Sequence, residues 1–231
     1  MNIVVPLAGK DQRFESRGVC KPLININGKP LIKHCIDTLD WPFKQEKYSL
    51  HFLVLKEHDL KYGLPSKLEE LFQESKVHVL KEPTDGAART VLAIEDEIRG
   101  NEELIVYLAD IHFSGDIKTA MKQKDAGGVL PVFKSSNPKY SYAIADSDGR
   151  VSKVAEKKVI SDNASAGFYY YRKGDSFISA AKEMIQKEDR VNNAFYICPT
   201  YNYLLGEKVL IAPVEFVADF GAEEFIKRWL G

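Results

Sequence analysis

The sequence is short of the features that assign a chain quickly. Cysteine occurs only at Cys20, Cys35 and Cys198. An odd count with no metal-ligand spacing excludes a simple disulfide framework or zinc cluster and fits free thiols in a reducing compartment. Neither sign of charge is in excess: 32 Lys and Arg stand against 33 Asp and Glu. No basic field therefore points to nucleic acid or to an anionic membrane. No apolar run reaches the roughly 18 residues that a bilayer-spanning helix needs. The opening "MNIVVPLAGK" lacks the charged start and long apolar stretch of a signal peptide and reads as a strand. Repeats, linkers and low-complexity tracts are missing as well. Together these absences predict a soluble cytoplasmic protein that engages neither nucleic acid nor membrane.

What is present is alternation. At 231 residues the chain is long enough for one domain with a sizeable core. The runs "NIVVPLAG", "SLHFLVLK", "KVHVLK", "ELIVYLAD" and "GGVLPVFK" are continuous in apolar residues, the pattern of strands buried on both faces. Between them the spacing predicts helices over Pro30–Leu39, Pro65–Gln73 and Ala87–Ile98. Strand and helix in turn predict crossover units on a parallel sheet. The second half changes character. A hairpin is expected around Asp148-Gly149, and one aromatic strand along "ASAGFYYYRKG". An amphipathic helix over "DSFISAAKEMIQKE" should be capped by Asp175 or Ser176. A short helix in "NAFYICPTYNYLLGE", a strand "KVLIAPVEF" and a closing helix "GAEEFIKRWLG" complete the reading. The expected fold is α/β, with a Rossmann-like, predominantly parallel central sheet flanked by helices and a small mixed β extension.

Ligands of such sheets bind beyond the carboxyl ends of the strands, so the residues that follow each strand are the candidates. After the first strand, Gly9, Arg13 and Lys21 can form an anion cradle from backbone N–H groups, a guanidinium fork and an ammonium; an ordinary turn with surface charges has the same composition. Asp110 ends an apolar run and is a good ligand for a hard cation, though strand ends are often bounded by Asp. Asp219 is a second such carboxylate or a helix-entry residue. Pro83, Gly86 and Ala87 shape a loop where backbone can approach a flat ligand closely. Glu156 and Lys157 offer an acceptor for hydroxyls and a cation for phosphate, or form a solvated charge cluster. His112 reads equally as a general base and as a structural histidine. Tyr169, Tyr170 and Tyr171 read as sheet filling.

Singly these signals are weak, but their order is specific. "PLAGKDQRF…KPLININGKPLI", "EPTDGAARTV", "YLAD", "VAEKK", "ASAGFYYY" and "DFGAEE" together resemble the sugar-1-phosphate nucleotidyltransferases, from Met1 to about Glu224. Within them the chain is most similar to small bacterial members associated with capsule and surface-polysaccharide synthesis. The resemblance implies a nucleotide-binding half over residues 1–135 and an acceptor-binding half over residues 136–231 of a single domain. It implies Leu7, Ala8 and Gly9 against base and ribose, Arg13 and Lys21 on the triphosphate, and Pro83, Gly86 and Ala87 beside the base. It implies Mg²⁺ on Asp110 and Asp219, Glu156 and Lys157 on the sugar and its phosphate, and Gly167 beneath the sugar. Arg13, Lys21 and Lys157 would then be the catalytic cations of an in-line transfer that releases pyrophosphate. No side-chain nucleophile is needed, which agrees with the lack of any Ser/His/Asp or Cys/His arrangement. The family often dimerises, and the small size of this chain favours pyrimidine over purine nucleotides.

Departures are equally visible. The family loop reads "AGxGxR"; here Asp11 replaces the second glycine. It brings negative charge toward a triphosphate unless it turns outward or meets a cation, and it loses glycine's freedom if φ there is positive. Ala194 stands where relatives carry an acidic residue, Ala222 replaces a Thr, and the Trp often found before the second metal ligand is missing. Two readings follow: an active transferase with an unusual acceptor, or a degenerate binding protein for nucleotide or sugar nucleotide. A glycosyltransferase on a related fold would require an Asp-x-Asp metal motif, whereas "LADIHF" holds only Asp110.

Overall fold

A computed structural model describes residues 1–37, 39, 47–204, 206–222 and 224–225. Its strands are β1 (Asn2–Pro6), β2 (Asn25–Ile26), β3 (Lys29–Pro30), β4 (Ser49–Leu55), β5 (Lys76–Leu80), β6 (Leu104–Tyr107) and β7 (Ile111–Ser114). They continue with β8 (Ala126–Lys134), β9 (Tyr142–Ala145), β10 (Val151–Ala155), β11 (Asn163–Ser165), β12 (Phe168–Tyr171), β13 (Lys208–Pro213) and β14 (Glu215–Asp219).

The main sheet runs in the order β10-β9-β11-β8-β12-β6-β1-β4-β5, with β13 beside β8. β5, β4, β1 and β6 are mutually parallel, while β12 is antiparallel to both β6 and β8. The continuous apolar runs are explained by burial on both faces. Ile3 and Val5 belong to one core and Val4 to the other; Ile105 and Tyr107 are likewise separated from Leu104 and Val106. Successive residues of a strand point to opposite faces, so an unbroken apolar run feeds two layers. The strand order reverses between β1 and β6, and the loops after these two strands frame the crevice where ligands of open α/β sheets bind.

The structure corrects several expected elements. The helix foreseen over Ala87–Ile98 is two pieces, Ala87–Leu92 and Glu95–Ile98. Its middle tightens into a turn, with Ile94 N–H bonded to Val91 O at 3.2 Å, and Val91, Ile94 and Ile98 share one core. Pro30 belongs to the β2–β3 hairpin, and the helix that follows spans Leu31–Asp37. Lys56–Tyr62 forms a helix not foreseen, joined through left-handed Gly63 to the helix Leu64–Leu71. The "ASAGFYYY" run is broken at Gly167, which has φ +71° and separates β11 from β12.

The long helix of the second half spans Gly174–Gln186, but Asp175 and Ser176 do not cap it. Asp175 accepts from the Gly100 N–H at 2.9 Å instead. A Cβ on Gly174 would lie 1.6 Å from Ile98 O, so the helix start is set by close packing. Cys198–Tyr203 is a 3-10 helix. The single strand expected over "KVLIAPVEF" divides at Val214 into β13 in the main sheet and β14, which pairs with β7 in a separate ribbon. Glu224 and Phe225 are helical; the rest of the expected closing helix, like part of "DFGAEE", lies outside the described residues.

Candidate active site

Two cavities open at the carboxyl ends of β1 and β6 and share Leu108 and Asp110. The larger, about 390 Å³, is lined by Arg13, Ala87, Asp110, Glu156, Lys157, Gly167 and Asp219 among the expected site residues. The smaller, about 260 Å³, is lined by Leu7, Gly9, Asp11 and Lys21. Ala8 is buried in the loop after β1, Pro83 is exposed, and with Gly86 they line neither cavity.

The two carboxylates arrive from distant parts of the chain. Asp110 follows β6 in a turn whose preceding residue, Ala109, has φ +55°. Left-handed backbone costs about 1–2 kcal/mol for a residue with a Cβ. The turn is held by Tyr107 OH donating to Ile111 O at 2.6 Å and by Cys35 Sγ on Ala109 O at 3.1 Å. Asp219 ends β14, where it pairs with Ile111 of β7, and Phe220 N–H donates to Asp110 O at 2.9 Å. The ribbon thus delivers Asp219 beside Asp110. Burial pushes the Asp110 carboxyl above its usual range; Lys21 opposes that shift, and the charge on Asp219 adds to it. Asp219 behaves oppositely. Burial would raise it, but Lys139, Tyr140 and the Gly221 N–H hold it below the usual value.

Asp11 meets a cation, one of the two alternatives that the sequence left open. Its φ is −113°, so the position demands no glycine. Its side chain caps the short helix Gln12–Glu15 and grips Arg13, with Nε on Oδ1 at 2.8 Å and Nη2 on Oδ2 at 2.6 Å. Burial alone would raise the Asp11 carboxyl; the bonds to Arg13 and the nearby Lys21 charge bring it below the usual range. Arg13 also donates through Nη1 to Gly221 O at 2.9 Å, tying the β1 loop to the loop after β14. The negative charge therefore meets a cation within its own loop.

In the same cleft as Arg13, Glu156 accepts from Ser141 Oγ. Burial raises its carboxyl to about 7, with Ser141 and Lys157 opposing the shift. Lys157, at φ +52°, places its ammonium 2.7 Å from Tyr196 OH and 4.8 Å from the centroid of that ring. Gly167, also left-handed, faces Asp110: a Cβ there would lie 3.4 Å from Oδ1.

Gly86 is explained without a ligand. With φ +134°, a Cβ would come within 2.3 Å of Phe195 O, and the strand-like contact continues through Phe195 N–H on Asp85 O at 2.8 Å. The close approach that glycine permits is to the protein's own backbone. His112 is outside the cleft; it stacks on Phe220 at 6.5 Å and lines a separate hollow with His34. Ala194 bridges to Val191, and neither Ala194 nor Ala222 lines either cavity.

Sequence reasoning missed Lys139, Tyr140, Ser141 and Tyr196, all of which line the cleft. The first three follow β8 in the turn "SSNPKYSY", and a polar Asn-Pro turn after a buried strand was the available signal. Tyr196 sits in an aromatic stretch with no such mark.

The model of the Nucleotidyl transferase family matches residues 9–202. Among curated proteins, a stretch of 178 residues is 25% identical to the bifunctional protein GlmU of Methanocaldococcus jannaschii, covering 75% of this chain and 40% of that protein. The chain thus spans well under half of that relative's length. Among solved structures, the nucleoside-diphosphate-sugar pyrophosphorylase from Vibrio cholerae RC9 superposes with a TM-score of 0.84 at 21% identity, covering 100% of this chain and 99% of that one. The inositol-1-phosphate CTP transferase from T. maritima superposes at 0.73 and 16% identity, covering 98% and 93%. At such identities the likeness to the solved structures is one of fold.

Proposed function

The chain belongs to the nucleotidyl transferase family, and on that premise we propose that it joins a nucleoside triphosphate, pyrimidine preferred, to a sugar-1-phosphate or similar phosphorylated small molecule and releases pyrophosphate. The observation that carries this reading is convergence. Arg13, Asp110, the adjacent pair Glu156 and Lys157, and Asp219 come from four separate stretches of chain and line one cleft.

An oxygen of the acceptor's phosphate attacks the α-phosphorus in line; that O–P bond forms as the bond to the leaving pyrophosphate breaks. Positioning and neutralisation of charge are the protein's share. Arg13, anchored by Asp11 and Gly221 O, turns its remaining N–H donors to the leaving pyrophosphate. Lys21 faces the triphosphate from the adjoining cavity. Lys157, steadied by Tyr196, takes the attacking phosphate, and Glu156 accepts the acceptor's hydroxyls.

The donors at Asp110 and Asp219 fit Mg²⁺. Both are hard oxygen ligands, and their negative charge is offset in the structure by Lys21 and Lys139. Among the described residues no group of three or more His, Cys, Asp or Glu forms a fuller cage, which suits an ion that takes one or two carboxylates and completes its shell from substrate phosphates and water. Bound there, Mg²⁺ would neutralise charge on the phosphoryl oxygens. The product is an activated precursor of the kind surface-polysaccharide synthesis consumes.

The test is pyrophosphate release with Mg²⁺ across a matrix of nucleoside triphosphates and phosphorylated acceptors. Metal-dependent release from one pair supports the reading and names base and acceptor together. Silence across the matrix, with nucleotide binding still seen by calorimetry, would replace it with a binding protein of the same fold.

A further inference from the structure

Asp219 is heavily engaged. Its Oδ2 accepts from Lys139 Nζ at 2.6 Å and from Tyr140 OH at 2.8 Å, and its Oδ1 takes the Gly221 N–H at 2.7 Å. The Asp219 side chain is 9% exposed and that of Lys139 is 39% exposed, so the carboxylate is sunk and the lysine reaches it from the rim. The backbone that carries Lys139 is braced. Its N–H donates to Asn137 Oδ1 at 3.1 Å, Tyr142 OH donates to Asn137 O at 2.7 Å, and Tyr140 packs edge-on against Phe133 at 5.1 Å. The adjustable part is the side-chain stem, which ends in a point charge with rotatable donors.

Lys139 and Lys157 line the same cleft, yet they are committed differently. Lys157 donates to the Tyr196 hydroxyl rather than to a carboxylate. Lys139 spends its charge on a carboxylate that also suits a divalent cation. The two cations repel each other at that position, and a divalent ion with oxygen ligands outcompetes an ammonium that brings one charge. Once displaced, Lys139 remains tethered at the rim of a cleft built for phosphate.

We propose that Lys139 is an exchangeable counter-ion, which holds Asp219 until a divalent cation takes that carboxylate and then turns its ammonium to the acceptor's phosphate, opposite Lys157. This rests on the reading of Asp110 and Asp219 as metal ligands. No covalent bond changes in the exchange. Its consequence is coupling: cation and phosphate each favour the arrangement the other needs, so each tightens the binding of the other.

The experiment measures Mn²⁺ binding to the full chain by paramagnetic resonance of the free ion, with and without inorganic phosphate. In the wild type, phosphate should tighten Mn²⁺ binding by about tenfold, a common size for coupling between sites. In Lys139→Met, Mn²⁺ alone should bind about tenfold tighter than in the wild type because its competitor is gone, and the phosphate effect should vanish. Lys139→Arg should restore the phosphate effect. Lys139→Gln, with thermal melting of every variant, serves if methionine loosens the cleft. Wild-type Mn²⁺ affinity and an unchanged phosphate effect in both neutral variants would overturn the inference alone, provided Asp110→Asn and Asp219→Asn abolish Mn²⁺ binding. If those two variants bind Mn²⁺ as the wild type does, the metal reading itself is wrong and the inference goes with it.

Discussion

Phe220 donates its backbone N–H to the carbonyl of Asp110 at 2.9 Å, and this bond fixes the end of β14 beside the turn after β6. The two cleft carboxylates owe their meeting to backbone pairing rather than to a contact between their side chains. Asp110→Asn should therefore keep the melting temperature while lowering kcat by about 10²–10³-fold, the cost of removing one preorganised electrostatic group. Near-normal turnover in that variant would show that the carboxylate at position 110 is not part of the chemistry.

Asp11→Gly removes both side-chain bonds to Arg13 and the cap on the helix Gln12–Glu15. Glycine substitutes for a cap at a cost of only a few tenths of a kcal/mol, or about that. Freed guanidinium donors become available to phosphate, so triphosphate affinity should be preserved or raised in calorimetry. A large loss would mean that the grip of Asp11 aims Arg13 productively.

Glu156 and His51 make opposite demands on pH. Burial raises the Glu156 carboxyl from 4.5 to about 7, so its contribution to stability is full below about 4.5 and is lost as pH rises through about 7. Glu156→Gln, which stays neutral, should remove a penalty on the order of 3 kcal/mol above that pH. Urea midpoints at pH 5 and 8 measure it; an unchanged difference between the two would refute the buried, protonated carboxyl.

His51 is fully buried, 3.1 Å from His78 Nε2 through its Nδ1 and 3.3 Å from Asn2 Oδ1 through its Nε2. Burial, then the neighbouring His78, lowers its pKa from 6.5 to about 4. Its contribution is full above about 6.5 and is lost as pH falls toward about 4. Because this window overlaps that of Glu156, the two slopes oppose in the wild type. Glu156→Gln should leave stability rising with pH, and His51→Gln should leave it falling. Parallel slopes in the two variants would contradict both assignments.

Gly86→Ala separates packing from base recognition. A Cβ within 2.3 Å of Phe195 O, at φ +134°, should cost about 2–4 kcal/mol of stability. The loss should appear in the free protein's thermal melt. A variant that melts normally but binds nucleotide poorly would return Gly86 to the base.

Much of this was legible from one-dimensional pattern because both-face burial leaves an unmistakable mark. Ile3, Val4 and Val5 announce a central strand without help from any other segment. Arg13, Asp110, Glu156, Lys157 and Asp219 stood out as candidates because each ends or follows a strand, whereas Lys139, in the turn after β8, did not. What was hidden depended on pairing across the chain. Nothing local in "APVEFVAD" says that Val214 divides two strands belonging to different sheets. Asp11 is a different case, since its partner Arg13 is only two residues away; what the letters do not state is that its backbone is extended. Asp175 looked like a cap because its type and place were right, yet a better partner at Gly100 was out of sight.

The β7–β14 ribbon has a bulge: Phe216 pairs with Phe113 and Ala218 with His112, with one residue extra between them. Which way Asp219 faces therefore depends on a count. A residue added or removed between Val214 and Ala218 would send the carboxylate to the other side of the ribbon, with every motif still legible in the sequence. The segment can exchange its letters far more freely than its length, and its spacing is the address that Asp219 answers to.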